Sequence, residues 1–445
     1  MAVTESAAAP REVSSPQFKK RFMTRLIIVL IGGMLLDGYI LGIVGPVNET
    51  MSADLAISPA IEGLVAAAAL IGIGIGSPIG GWAGDKFGRK PLFMIDISLF
   101  VVASALQLVV HSPEMLIIVR LLMGIAIGME YSVGWPMLSE FAPANIRGLL
   151  LGATNIAWYG GFMLAFMVGT LLISSTHLSW NFILFTSTFL AIALLIGRLG
   201  MPESPRWLWN QGRKEEARAI VDKFMDPAEF ADMEHTEAVK GKFSQLFSTP
   251  AARKATLFVC GFWFANVAPY FAIATFAVTV MKQYGMDGGI WSTLVSVFSL
   301  LGVIVCTVLV DKLGRRTLAI PSSWAVFVML AILGFWTGAP GIIVVILLYI
   351  YSFMNGLGGA LSGIFPGEVF PTAIRGVGTG FAAANSRVGA ALGPFLLPIS
   401  MVGLGAGVTM LIAAGVALAG AVITQLLAPE TKGMSLAEAA KNFSH

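Results

Sequence analysis

Twelve apolar runs, each close to the roughly 20 residues that a helix needs to cross a bilayer, constrain this chain more than any other feature. Six fall before residue 200: Leu26–Val47, Leu64–Ala83, Leu92–Val110, Met115–Leu138, Leu149–Ile173 and Phe182–Leu199. Six more follow at Ala255–Met281, Trp291–Val310, Leu318–Trp336, Ile342–Ile364, Gly376–Met401 and Leu404–Leu427. In hydrocarbon every backbone polar group needs an internal partner, so such runs are predicted as membrane-crossing helices. With 56% hydrophobic and 12% charged residues and a mean hydropathy of +0.82, the chain cannot be dispersed in water. The prediction is an all-α membrane protein with 12 transmembrane helices.

The polar segments divide this array. A tail at 1–22 precedes a six-helix bundle at 23–200, a linker with short amphipathic helices at 201–254, a second bundle at 255–428 and a tail at 429–445. The first run is too long for a signal-peptide core, so the N-terminus is expected to be retained. Lys and Arg collect in the first tail, in every second loop and in the last tail, while the alternate loops hold only Lys282. Basic loops stay cytoplasmic, which puts both termini and the linker inside a bacterial plasma membrane and reads the net charge of +3 as a topology signal, not a nucleic-acid site. Cys260 and Cys306 lie inside apolar runs, and the four histidines lie in loops or at the C-terminus. With no phosphate-binding loop and no H-E-x-x-H, no cofactor, metal or catalytic constellation is expected, and energy for work would come from a gradient.

Three pairs of motifs recur at one spacing. Asp85-Lys-Phe-Gly-Arg-Lys90 matches Asp311-Lys-Leu-Gly-Arg-Arg316. Glu140 through Pro143 to Arg147-Gly148 matches Glu368 through Pro371 to Arg375-Gly376, and Pro202-Glu203 matches Pro429-Glu430. The common offset, about 227 residues, signals a parallel duplication into two pseudo-symmetric six-helix bundles. The D-K-x-G-R-[KR] pair resembles the signature loop of the major facilitator superfamily. Pro202-Glu-Ser-Pro-Arg-Trp-Leu208 and Pro429-Glu-Thr-Lys-Gly433 resemble its sugar-porter branch, and Glu130-Tyr-Ser-Val-Gly134 with Ser386-Arg-Val-Gly389 looks closer to bacterial metabolite:proton symporters. The run at Gly261-Phe-Trp-Phe-Ala-Asn-Val-Ala-Pro-Tyr270 replaces the Q-Q-x-S-G-x-N of hexose carriers, and Gly38-Tyr39 is followed by Ile40 instead of an acid, which counts against a hexose.

The resemblance implies a cytoplasmic gate in which Asp85 and Arg89 pair with Glu140 and Arg147 in one half, and Asp311 and Arg315 with Glu368 and Arg375 in the other, and hold the inward side shut. Within the spans, Asp37, Arg120, Glu130 and Arg387 each cost roughly 2.5–3.5 kcal/mol to insert, so each should face a cavity or a partner. Counted from the span ends, Asp37 and Arg120 differ in depth by roughly 6 Å, within an arginine's reach. An acid whose arginine comes and goes as a cavity opens would change its proton affinity, so Asp37, Arg120 and Glu130 are the proton-coupling candidates, with a static buried pair as the alternative. Glu130 is equally a partner for a cytoplasmic arginine. Arg387 suits a carboxylate fork, unless it pairs with Asp96 or an acid near the tenth span.

Helical spacing gathers Asn155 and Tyr159, Trp263, Asn266 and Tyr270, and Asn355, with Tyr131 on the Arg120 face, as candidate substrate-binding residues with Arg387. Glycines at 72, 76, 80, 124 and 128 read as close-packing seams. Together these features describe a monomeric secondary transporter importing a small organic solute, expected to be a carboxylate, by proton symport through alternating access. The alternatives are a sugar or polyol facilitator or symporter, a proton-driven exporter, and a transporter-like receptor.

Overall fold

A computed structural model describes residues 15–143, 146–175, 178–225, 242–286, 288–371 and 374–434, together with the backbone but not the side chains of Arg147 and Gly148. Eleven helices among them are long and apolar enough to cross a membrane. The last, Arg375–Leu427, has 53 residues, enough to cross twice, and it breaks at Gly405, where φ is 81° and ψ 166°. That left-handed backbone favours glycine, and the break yields two spans and a total of twelve. Leu171, Ile196, Phe335, Val402 and Leu426 stand exposed on the outer surface, as side chains facing lipid do.

In chain order the spans are 1 (Pro16–Gly42, continued as Val44–Asp54), 2 (Pro59–Phe87), 3 (Arg89–Leu106), 4 (Pro113–Phe141), 5 (Arg147–Ser175) and 6 (Trp180–Phe185 and Ser187–Arg198). The second half holds 7 (Pro250–Thr275 and Ala277–Gln283), 8 (Gly289–Leu313), 9 (Arg315–Phe335), 10 (Gly341–Val369), and 11 and 12 on either side of Gly405. Four begin with the same local chemistry: Ser15, Ser58, Ser112 and Thr249 each accept a backbone N–H through the hydroxyl, and each is followed by proline. The hydroxyl satisfies one orphan donor and proline presets the first helical φ.

Spans 2 and 4 pack backbone to backbone. A Cβ at Gly72 would collide with Leu121 O, at Gly76 with Ile125 O and at Gly124 with Ala69 O, so the glycines form the expected seam. The two halves touch mainly through span 2 against 11 and span 5 against 8, pairs that the duplication interchanges.

On the face bearing the basic loops, the three repeated motifs of each half converge. Gly88 (φ 102°) and Gly314 (φ 96°) turn the chain into spans 3 and 9. Glu203 then accepts the N–H groups of Arg89 at 2.9 Å and Lys90 at 3.1 Å, and Glu430 accepts those of Arg315 at 2.9 Å and Arg316 at 3.1 Å. Arg89 pairs with Glu140 at 3.1 Å, and Arg315 forks onto Glu368 at 2.8 and 3.1 Å. Ser204 donates to Glu140 as Thr431 does to Glu368. Asp311 joins Arg315 at 2.9 Å, Asp85 is exposed, and Arg375 donates to Phe370 O at 3.2 Å. Each of these pairs lies within one half, Arg89 with Glu140 and Arg315 with Glu368: they brace the ends of a bundle and do not bridge the two. The Arg147 side chain lies outside the described residues.

Two outcomes test this packing. Gly124→Val should destabilise the purified protein by about 1–3 kcal/mol through overpacking, whereas Gly415→Val, with nothing within 4 Å of its added Cβ, should melt near wild type. Burial pushes the Glu430 carboxyl up, but N–H donors from Lys432, Arg315, Arg316 and Thr431 outweigh it and hold it below the ordinary 4.5. Its stabilisation is then complete above about pH 4.5 and lost as the pH falls further, so the drop in melting midpoint between about pH 6 and about pH 4 should be smaller in Glu430→Gln than in wild type.

Candidate functional site

Between the halves lies a cavity of about 330 Å³. Tyr131, Asn155, Tyr159, Trp263, Asn266, Tyr270 and Arg387, drawn from spans 4, 5, 7 and 11, all line it, as the helical spacing suggested. Span 10 makes room for side chains from the other half: a Cβ at Gly359 would collide with the Tyr159 hydroxyl, and one at Gly363 would stand 3.1 Å from Asn155 Nδ2. Asn355 does not line the cavity. It is fully buried behind Asn266, donating to Asn266 O at 3.0 Å and accepting from Asn266 Nδ2 at 3.2 Å, so it laces span 10 to span 7.

The walls are mostly aromatic. Tyr131 stacks on Trp135 with centroids 5.2 Å apart, and its hydroxyl accepts the Trp158 indole N–H at 3.1 Å. Trp158, Tyr159, Phe162 and Tyr270 pack ring to ring at 5.0–6.4 Å and cover the end of the cavity away from the basic loops. Beyond them the broken outer segments of spans 1 and 7 pack together, joined by Lys282 and Glu49 at 2.5 Å, and Thr170 bonds Thr293 at 3.1 Å across spans 5 and 8. On the basic-loop face a vestibule of about 460 Å³ shares Tyr131, Trp135 and Leu151 with the cavity. The cavity is therefore open toward the basic loops and sealed on the opposite face.

Among the described residues, Arg387 is the one charged side chain in the cavity wall. Its guanidinium carbon lies 5.6 Å from the Tyr131 ring centroid, a cation–π contact between halves, and among the described residues no carboxylate comes within ion-pair distance. Neither Asp96 nor Glu368 takes the partner role suggested for them: Asp96 is bound to Arg198 and Glu368 to Arg315. Within reach of the Arg387 charge, Asp37 is fully buried and neither carboxylate oxygen has a hydrogen-bond partner among the described residues. The charged groups in its field are Glu130, Arg198 and Arg387. Gly38 lets span 5 approach so closely that a Cβ would strike Trp158 O, which pins Asp37 deep in the bundle.

The expected pairing of Asp37 with Arg120 does not form. Arg120 is 1% exposed and donates from Nε to Val65 O at 3.1 Å. Span 1 continues past Val47 to Asp54, so Asp37 sits deeper than a span ending at Val47 implies. Arg120 also lies early in span 4, and helical side chains lean toward the helix N-terminus, which here carries its guanidinium away from Asp37. Glu130 does find an arginine: Arg198 at the end of span 6, fully buried, binds Glu130 at 2.5 Å and Asp96 at 2.7 Å. The signal available in the sequence was apolar context: Asp96 stands between Ile95 and Ile97, and Arg198 follows Leu194-Leu-Ile-Gly197 and precedes Leu199.

The comparisons with known proteins agree with this architecture. Residues 26–443 match the family described as Sugar (and other) transporter. The inner membrane metabolite transport protein YgcS of Escherichia coli K12 is 35% identical over 420 residues, covering 94% of each chain. The major myo-inositol transporter IolT of Bacillus subtilis is 26% identical, over 95% of this chain and 94% of its own. Among solved structures, the inward-open xylose transporter XylE of E. coli superposes with a TM-score of 0.79 at 22% identity, covering 94% of this chain and 99% of XylE. A chain of twelve spans, duplicated around one central cavity and matched along nearly its whole length, belongs to the sugar (and other) transporter family of the major facilitator superfamily, and is a multi-pass transporter of sugars or related metabolites.

Proposed function

We propose that the protein imports a small carboxylated metabolite together with a proton by alternating access, as a monomer in the bacterial cytoplasmic membrane with both termini and the basic loops on the cytoplasmic side. The observation that carries the reading is Arg387, a guanidinium without an acid, set among aromatic rings where a monocyclic or short-chain carboxylate fits. A planar fork of N–H donors favours such an anion, and the aromatic faces suit its apolar body. Asn155, Asn266 and Tyr159 supply further polar contacts.

The proton enters through Asp37. A buried carboxyl with no partner is most stable neutral, and Arg387, whose field reaches it from the other half, becomes occupied when substrate binds. Protonation and substrate binding therefore favour each other, which is the linkage that symport requires. Among the relatives, one is an arabinose-proton symporter of Bacillus subtilis, and the related xylose carrier is a proton:xylose symporter, which supports proton coupling. Glu49–Lys282 and the aromatic cover close the periplasmic side in the state described, and reopening them while the basic-loop ends close gives the outward-facing state.

The second reading, a sugar or polyol carrier, draws on relatives named for myo-inositol and glucose and on the amide and hydroxyl groups of the wall. The two readings part at Arg387.

In proteoliposomes offered sugar acids, aromatic acids and polyols, an imposed inward proton gradient should drive accumulation of a carboxylate. Asp37→Asn should abolish gradient-driven accumulation while leaving substrate exchange measurable; uptake indifferent to both gradient and variant would overturn the coupling. Arg387→Gln should raise KM for the carboxylate by about 10- to 100-fold, the equivalent of roughly 1.5–3 kcal/mol for a lost charge-assisted bond, with Arg387→Lys intermediate. A polyol taken up equally well by wild type and Arg387→Gln would favour the second reading.

A further inference from the structure

Spans 3, 4 and 6 enclose a cluster that the transport reading leaves unused. Arg198, Asp96 and Glu130 are all fully buried. One guanidinium serves both acids, Nη1 to Asp96 Oδ1 at 2.7 Å and Nη2 to Glu130 Oε2 at 2.5 Å, and it also gives Nη1 to Phe93 O at 2.8 Å and lies 3.8 Å over the Phe93 ring. Because the two Nη atoms are neighbours, the two carboxyls are held side by side. Ile97 N satisfies Asp96 Oδ1 again, while Asp96 Oδ2 and Glu130 Oε1 have no donor at all.

With every group ionised, two negative charges would share one positive charge in a dry interior. The carboxyls would also face each other as acceptors only, and two adjacent carboxylates with no donor between them repel. A single O–H resolves both faults: it gives one unpartnered oxygen a hydrogen to donate and brings the cluster to neutrality. We propose that Asp96 and Glu130, clamped by Arg198, hold one proton between them and form a second proton-binding site of the transporter, separate from Asp37.

The surroundings fit. Glu130 Oε1 lies against Gly33 of span 1, where any Cβ would collide with it, and Gly134 lies on its other side. Asp37 is one turn further along span 1, so once the pair has released its proton, one leaving Asp37 has a buried acceptor nearby: the O–H bond of Asp37 breaks, one forms on Glu130 Oε1, Asp37 is left as the carboxylate and the pair is back to one proton. The charged groups facing the pair are Asp37 from span 1 and Arg198 from span 6, with Arg387 of span 11 acting on Asp37 from the other half. The physiological role of this site rests on the proton-coupled reading above, but its test reads the proton itself without substrate or flux, so either can fail alone.

The test is infrared spectroscopy of the purified protein, following the C=O stretch that only a protonated carboxyl shows and its shift in heavy water. Wild type at neutral pH should carry a band that survives in Asp37→Asn and is lost in both Glu130→Gln and Asp96→Asn. Each of those two isosteric changes leaves one acid to pair with Arg198, so both variants should fold, as a melting curve will show. Persistence in both pair variants of the band that survives Asp37→Asn, or a wild-type spectrum whose only such band disappears with Asp37→Asn, would overturn the proposal. Should neither pair variant purify, the Asp37→Asn spectrum decides alone: a remaining band that disappears reversibly on raising the pH supports the pair, and no remaining band refutes it.

Discussion

A charge placed in the middle of a bilayer must have a partner, a proton or a route to water, and the interior of this protein is organised by that requirement. The N-terminal half buries Asp37, Asp96 and Glu130 with Arg120 and Arg198, while the C-terminal half sets Arg387 in the cavity wall. Arg198 satisfies two acids, Arg120 is anchored on a backbone carbonyl, and Asp37 and Arg387 are left to face each other's field across the seam between halves. Buried ion pairs contribute little net stability because desolvation offsets their attraction, so a set of unsatisfied charges at this depth is better explained by transport than by folding.

The duplication supplies what must move. Close contact between halves runs mainly through spans 2 with 11 and 5 with 8, two interfaces that each half presents in the same way. The ends near the basic loops are tied internally by Arg89 to Glu140 and Arg315 to Glu368, with Glu203 and Glu430 capping spans 3 and 9. Such bracing lets each bundle rock as a body, since partly exposed pairs within a bundle need not break when the bundles separate.

Much of this was legible in the sequence because it is written in local terms. Span number follows from apolar run length, the motif offset follows from duplication, and the glycine seam and most of the cavity wall follow from helical spacing. The misses share one cause, that depth and side-chain direction depend on tertiary context. Pro46 and the polar residues after Val47 hide the continuation of span 1, which lowers Asp37 away from Arg120. Arg198 ends span 6 and reads as an interfacial charge, yet a side chain leaning toward its helix N-terminus points into the membrane there, directly onto Glu130 and Asp96. Asn355 shares a face with Tyr351, but that face meets span 7 and not the cavity.

The central claim is one cavity reached from one side at a time, and the most direct measurement is labelling of a single cysteine at its wall. In a chain with Cys260 and Cys306 replaced by alanine and Asn155 by cysteine, a membrane-impermeant maleimide should react in inside-out vesicles, through the vestibule beside Trp135 and Leu151. Breaking the opposite seal with Lys282→Glu against Glu49 should make the same cysteine reactive in right-side-out vesicles. Equal labelling from both sides with the seal intact, or none from either side, would contradict the account.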